Sequence, residues 1–193
     1  MAIGLKTHSA VGMQAGFTLF ELLIVVGIAA ILAAIGLPAM RQFVQNYQAS
    51  NAASGLVTSL NYARSEAIKE DQPSAGGAGV QICASSGAVA CDTTNWATGW
   101  IVLSPAGAAP LQIIGALPST MTLTVTPANA AVVFLPNGTA PALAVGANQR
   151  AMFKLCDSRG ARAARDVEVS IGGIIQASSV LGHDVSGAAL TCP

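Results

Sequence analysis

Residues that usually carry enzymatic or metal chemistry are scarce in this chain. Histidine occurs twice, as His8 and His183. No H-E-x-x-H, G-x-S-x-G or phosphate-loop pattern is present. No recognisable loop of metal ligands is formed by the late acidic residues, which are Asp157, Asp166, Glu168 and Asp184. We therefore expect a protein that is no enzyme and that needs no cofactor and no metal.

Charged and aromatic residues are also few. Only 9% of the 193 residues are charged, aromatic residues make up 5%, and the formal net charge is zero. Glycine, alanine, serine, threonine and valine dominate after residue 72, which suits an extracytoplasmic β domain. A chain of this length has room for one apolar anchor and one modest domain, and a second catalytic domain would not fit.

One long apolar run stands near the start of the chain. Between Phe17 and Met40 the only ionisable side chain is Glu21. At about 1.5 Å per residue, a helix of this length crosses a hydrocarbon core of about 30 Å. A carboxylate costs roughly 2.5 to 3.5 kcal/mol at the bilayer centre and less near an edge. Glu21 therefore needs a partner or a purpose.

Residues 1–16 are polar and small and are expected to form a leader. An ordinary secretory signal is the alternative, since a small-residue cleavage site can be drawn near Ala39. However, Gly-Phe-Thr-Leu-Phe-Glu-Leu-Leu, residues 16–23, stands before the apolar run and not after it. This octet closely resembles the class III leader junction of type IV pilins and type II secretion pseudopilins.

The resemblance implies how the junction is processed and used. A prepilin peptidase would cut after Gly16 and methylate the new amino terminus at Phe17. Glu21 would then pair with the terminal amine of a neighbouring subunit, so that two groups costly in lipid offset one another. The alternative is a plain membrane anchor with an edge carboxylate. The leader is long, and Gln14 precedes the junction where a basic residue is common, so translation could also start at Met13.

The helix is expected to continue beyond the apolar run, from residue 41 to 71. Pro38 should bend or loosen it, because proline removes a helical hydrogen bond, and pilins typically carry a proline at this distance. Helical spacing predicts a packing stripe of Leu56, Leu60, Ala63 and Ala67, flanked by Val57 and Ile68. The predicted surface face carries Asn51, Ser54, Ser65 and Glu66. Pro73 and the glycine-rich residues after it should end the helix.

Short runs of β character follow the loop. They are residues 80–84, 99–103, 111–114, 121–126, 131–135, 151–156 and 167–171. Residues 122–126 alternate as a half-buried strand does, and Asn137-Gly138 predicts a turn. Trp100 and Phe134 are expected in the core. The sequence thus predicts an α+β fold with a long N-terminal helix packed on an antiparallel β domain.

The β half narrows the resemblance to the H-type pseudopilin and FimT/FimU minor pilin group. Leu60-Asn61-Tyr62-Ala63-Arg64-Ser65-Glu66 is similar to the segment that closes the long helix in that group. Trp96 with residues 99–102, then residues 134–138, 153–156 and 167–170, follow in the same order as similar pieces there.

The four cysteines all follow the apolar run and lack C-x-x-C spacing typical of zinc sites. An even number favours two disulfides in an oxidising compartment. Three pairings are possible. The most economical joins Cys83 to Cys91 as a loop clamp and Cys156 to Cys192 at the end of the sheet.

Some FimT-type minor pilins bind DNA, and a basic cluster raises that alternative here. Arg159, Arg162 and Arg165, with Arg150 and Lys154 nearby, form a possible phosphate patch. DNA is nevertheless disfavoured as a partner. Where the DNA-binding members have Gly-Arg-x-Arg, this chain has Gly-Ile-Ile-Gln at residues 173–176.

The predicted organisation has four parts: a leader (1–16), a transmembrane and assembly helix (17–40), its amphipathic continuation (41–71) and an extracytoplasmic β domain (72–193). The expected function is that of a type IV minor pilin which helps to initiate or cap the pilus. The alternative is an H-type minor pseudopilin of type II secretion. The expected partners are the prepilin peptidase, other pilins or pseudopilins and the inner membrane, with the β domain in the periplasm before incorporation.

Overall fold

The computed structural model describes residues 16–69, 79–105, 109–128, 131–141 and 149–192. The chain divides into two compact units, Met1–Phe43 and Val44–Pro193. Most of the predicted leader, and the predicted loop around Pro73, lie outside the described residues. The predicted domain boundaries therefore stay predictions.

The first element is a single helix, α1, from Leu19 to Lys69. It begins after Thr18, whose hydroxyl accepts a hydrogen bond from the Glu21 backbone amide at 3.2 Å and thereby caps the first turn. Helical structure runs through Pro38 without interruption. The predicted kink at Pro38 stays a prediction.

Within the described ranges, eight strands follow α1 and form two antiparallel sheets. The first sheet has the order β3-β2-β1-β5 and consists of β1 (Val80–Ala84), β2 (Trp100–Leu103), β3 (Pro110–Ile114) and β5 (Val132–Phe134). The second has the order β4-β6-β7-β8 and consists of β4 (Met121–Thr126), β6 (Arg150–Asp157), β7 (Arg165–Ser170) and β8 (Ile175–Ala177). The long helix packed on antiparallel sheets confirms the predicted α+β fold.

The second half of α1 packs on both sheets through one stripe of side chains. Leu56, Leu60, Ala63 and Ala67 are all buried, as their spacing predicts. Ala49 extends the stripe toward the start of the helix. Ile68 was predicted beside the stripe, but its side chain is 53% exposed. Its Cδ1 nevertheless lies close to Gly138, so Ile68 borders the stripe, as predicted.

The core between helix and sheets contains the aromatic side chains of Trp96, Trp100, Phe134 and Phe153. Trp100 and Phe134 are buried, as predicted. Trp96 contacts Phe153 edge to face, with 4.8 Å between ring centroids, which is a favourable aromatic geometry. Along β4, Met121, Leu123 and Val125 are buried while the intervening threonines are exposed, so the predicted alternation is confirmed.

A buried junction ties the helix to the turns of both sheets. The Arg64 Nε donates to the Gly138 carbonyl at 3.1 Å. Gly138 has φ +76°, which confirms the predicted turn at Asn137-Gly138, since glycine adopts positive φ without strain. Gly173 has φ +74° and lies so close that a Cβ there would stand 1.9 Å from the Gly138 carbonyl oxygen.

Candidate functional site

The predicted processing junction lies at the exposed start of α1. Gly16 and Phe17 precede the helix, and the Phe17 side chain is 81% exposed. The Leu22 backbone amide donates to the Thr18 carbonyl at 3.1 Å, which closes the first helical turn. The spacing of Thr18 and Glu21 is that of a capping box, a signal that could have located the helix start in the sequence. The junction therefore leads straight into rigid helix.

Glu21 presents its carboxylate on the first turn of α1. The side chain is exposed, and within the described ranges no hydrogen bond or ion pair reaches it. The residues around it are apolar and exposed as well, among them Phe20, Leu22 and Leu23. An acidic group near the helix N-terminus is favoured by the helix dipole. The carboxylate is thus free to meet a cation supplied from outside this chain.

The segment that follows Glu21 has the properties of a membrane span. α1 contains an 18-residue window of mean hydropathy 2.7, none of it buried inside the protein. The helix is long and apolar enough to cross a membrane, by length and composition. Exposed apolar residues continue along it as far as Tyr47. This surface fits lipid or the helices of other subunits better than water.

The structure separates the basic residues of the possible phosphate patch. Arg159 is bound to Asp157 through a bidentate ion pair, with Nε 3.1 Å from each carboxylate oxygen, and its Nη1 donates to Asn46. Burial alone would raise the pKa of Asp157, but the hydrogen bonds from Arg159 outweigh burial and hold the pKa below its usual range. Arg150 is paired with Glu168 at 2.7 Å.

The remaining two arginines differ from each other. Arg162 is exposed in a short 3-10 helix, Ala161–Ala163. Arg165 is half-buried at the start of β7, and its Nε has no hydrogen-bond partner among the described residues. The predicted set is therefore not a row of free cations, because its members are divided between ion pairs, an exposed helix and a sheet end.

The two disulfides join the pairs that the sequence favoured, Cys83 with Cys91 and Cys156 with Cys192. The second bond fixes one end of residues 178–192, which we call the covering segment. The other end is held by the Ser178 amide, which donates to the Asp166 carbonyl at 2.9 Å. Leu190 is buried against Cys156 and Ala164 in a small second core.

Two acidic residues of β7 are buried close to this segment. Asp166 is 1% exposed and Glu168 5% exposed, and they lie on one face of the strand because they are two residues apart. Burial, together with the nearby Glu168 carboxylate as the second cause, raises the pKa of Asp166 to about 7. Sequence inspection missed this pair, since acidic residues at alternate strand positions usually face solvent.

Two family profiles match the sequence of this chain. The profile of the family described as type II transport protein GspH matches residues 52–173. The profile of the prokaryotic N-terminal methylation motif matches residues 12–37, a range that contains the junction at Gly16 and the exposed Glu21. No curated protein sequence matches the chain significantly.

Solved structures share the fold. The crystal structure of the type IV minor pilin FimU of Pseudomonas aeruginosa strain PAO1 in space group P21 has a TM-score of 0.56 and 24% identity, covering 78% of this chain and 99% of that one. The structure in space group P65 has a TM-score of 0.53 and 23% identity, covering 75% and 99%. Because the GspH profile covers more than half of the chain and the methylation motif precedes it, this protein belongs to the GspH family of pilin-like subunits, whose members serve type IV pili or type II secretion.

Proposed function

We propose that this protein is a minor pilin of a type IV pilus, cleaved after Gly16 and methylated at Phe17 by a prepilin peptidase. The observation that carries the proposal is the exposed, unpaired Glu21 carboxylate one turn after that junction, inside the methylation motif. Before incorporation the helix lies in the inner membrane, with the β domain on the periplasmic side. Its work is structural, and it helps to initiate or cap the filament.

The chemistry of the first turn supports this role. Cleavage would give Phe17 a free amine, which is cationic at neutral pH. In an apolar filament core or a bilayer, an isolated ammonium and an isolated carboxylate are both costly, whereas a pair offsets much of that cost. The Phe17 amine of one subunit and Glu21 of its neighbour would therefore set the axial register of the packed helices.

A substitution of Glu21 tests the proposal. In Glu21→Ala, processing should stay largely intact while incorporation into filaments falls, because the cationic amine loses its partner. Glu21→Asp is the matched control, since it keeps the charge and should retain part of the incorporation. The measurement is immunoblotting of sheared filaments and membranes, with processing read from the mass of the chain. Incorporation of Glu21→Ala at the wild-type level would refute the role in register.

The second candidate is a minor pseudopilin of a type II secretion system. It is favoured by the description of the matching family as a type II transport protein. A gene deletion separates the two functions. Loss of twitching and DNA uptake with normal protein secretion supports the pilus, and loss of secretion with normal twitching supports the pseudopilus.

A further inference from the structure

A groove in the second unit contains Arg165, a half-buried arginine with no hydrogen-bond or ion-pair partner among the described residues. The groove has a volume of about 320 Å³ and lies between α1 and the ends of β7 and β8. It is lined by Ser50, Ala53, Ser54, Val57, Thr58, Arg165 and Ala177. The five helix residues are spaced by three and four positions, so they form one continuous side of α1.

Arg165 stands on the helix-facing side of the sheet. It lies on the same face of β7 as the buried Val167 and Val169, because successive members of this set are two positions apart. Its backbone pairs with that of Leu155. Its Nε is buried, and among the described residues no hydrogen bond or ion pair engages its side chain. A guanidinium group stays charged at every relevant pH, so a buried donor without a partner is costly.

The local charge balance also lacks an anion. Asp157 interacts with Arg165 electrostatically, but this carboxylate already forms the bidentate ion pair with Arg159. Asp157 therefore interacts with the guanidinium groups of both Arg159 and Arg165. The hydroxyl of Thr58 donates to the Ser54 carbonyl at 2.8 Å, whereas in the described part of the chain no such bond engages the Ser50 and Ser54 hydroxyls. Two hydroxyl donors and one guanidinium therefore border the groove.

We propose that this groove receives the carboxylate of an aspartate or glutamate side chain from a different pilin-like subunit of the same filament. The inference rests on the proposed function, since it requires a neighbouring subunit. A planar guanidinium binds a carboxylate through two parallel hydrogen bonds, and the hydroxyls can donate to the remaining lone pairs. The apolar walls, Ala53, Val57 and Ala177, fit the methylene groups of such a side chain.

The geometry favours an acidic side chain over a nucleic-acid backbone. Duplex binding uses several cations along a phosphate row, but Arg150 and Arg159 are already engaged in ion pairs.

The geometry also favours another subunit over a second copy of this chain as the source of the carboxylate. Among the described acidic residues, Glu21 lies in the apolar segment and Asp166 is buried, whereas the others have hydrogen bonds or ion pairs within the chain.

Photo-cross-linking of the full chain in its native cells tests the proposal. A photoreactive residue replaces Asn51, which is exposed beside the groove and does not line it. Filaments are isolated after irradiation, and mass spectrometry identifies the linked peptide. We expect a peptide of another pilin-like subunit that contains an aspartate or glutamate. Arg165→Gln should lower the yield about fivefold, as expected for the loss of a half-buried charged hydrogen bond.

Two further variants serve as controls. Arg162→Gln removes the same charge from an exposed position three residues away and should leave the yield unchanged. Arg165→Lys keeps the charge and should retain part of the yield. Electrophoresis without reductant checks that both disulfides still form in each variant. If Arg165→Gln does not fold, replacing the neighbour's linked acid by its amide gives the same test, with the same fivefold decrease expected.

Several outcomes would overturn the groove assignment. They are an unchanged yield in Arg165→Gln, no cross-link from incorporated wild-type chain, a linked peptide without an acidic residue, and a linked peptide from a second copy of this chain. DNA binding that is lost in Arg165→Gln would overturn it as well. Yields are compared only among chains that have entered filaments. Failure of the groove therefore leaves incorporation intact, whereas failure of the proposed function removes incorporation itself.

Discussion

Asp166 and Glu168 interact as two buried carboxyl groups on one face of β7, and Glu168 is also held by Arg150. Arg150 is thus the cation paired with this two-carboxyl cluster. Burial raises the pKa of Asp166 to about 7, from a usual value of 3.8, with the Glu168 charge as a further cause. Two like charges in contact disfavour ionisation of one member, so the arrangement keeps a proton on the pair at mildly acidic pH.

The raised pKa of Asp166 predicts that the protein becomes less stable as the pH rises toward this pKa. Between about pH 4 and pH 7 the folded chain binds a proton at Asp166 that the unfolded chain has released. The stabilisation is complete below pH 4 and is lost as pH approaches 7. Asp166→Asn cannot ionise, so it should be more stable than wild type at pH 8 by on the order of 2 kcal/mol. Thermal unfolding of the full chain in detergent at pH 5 and pH 8 measures the difference.

Asp92→Asn is the matched control for the pH series. Asp92 is exposed, and the hydrogen bond from the Ser86 amide lowers its pKa, so its substitution should not remove the loss of stability toward alkaline pH. An equal pH dependence in wild type and Asp166→Asn would contradict the interpretation of the buried pair.

The close approach of Gly173 and Gly138 predicts a large effect of one methyl group. In Gly173→Ala the new Cβ would stand 1.9 Å from the Gly138 carbonyl oxygen, and the residue would also keep a positive φ. We expect a loss of about 2 to 3 kcal/mol of unfolding free energy. Gly172→Ala is the control, because its nearest neighbour is 3.7 Å away, and it should change stability by less than about 0.5 kcal/mol. Equal unfolding temperatures for the two variants would show that the contact between Gly173 and Gly138 does not exclude a side chain.

The two disulfides should contribute unequally to stability. The Cys156–Cys192 bond closes a sequence separation of 36 and the Cys83–Cys91 bond one of 8. On the loop-entropy account, they constrain the unfolded chain by about 4 and about 2.5 kcal/mol. Replacing Cys156 and Cys192 together by serine should therefore lower the unfolding temperature more than replacing the other pair. Mass mapping of a digest made without reductant should first show the peptide that joins residues 156 and 192.

The divided arginines predict weak, non-specific interaction with DNA. Arg159 and Arg150 are neutralised by Asp157 and Glu168, which leaves few cations for phosphates. A titration of the full chain with duplex DNA at two salt concentrations should show no salt-sensitive binding in the micromolar range. Binding that weakens steeply with salt and is lost in Arg162→Gln would revive the nucleic-acid function.

Local patterns in the sequence predicted much of this fold. The alternation of residues 121–126 and the spacing of Leu56, Leu60 and Ala63 locate β4 and the packed side of α1, because periodicity depends only on neighbouring residues. β8 was missed: it has three residues, it follows two glycines, and it exists only through pairing with β7. The short 3-10 helices at 96–98 and 161–163 were missed because three residues are too few to show a helical period.

The functional residues show the same difference between what local sequence predicts and what depends on the fold. Gly16, Phe17 and Glu21 belong to one contiguous octet and could be predicted as a unit. The free guanidinium of Arg165 could not, because it depends on which of several arginines the fold pairs with Asp157. The buried state of Asp166 likewise depends on residues 178–192 returning to the sheet.

The bond between Cys156 and Cys192 also determines what a proteolytic cut can release. Any single cut in the intervening residues, such as one in the exposed stretch near Gly187, leaves the two pieces covalently joined. A nicked subunit would keep its full mass until a reductant is added. A single proteolytic cut there would therefore not release this part of the protein.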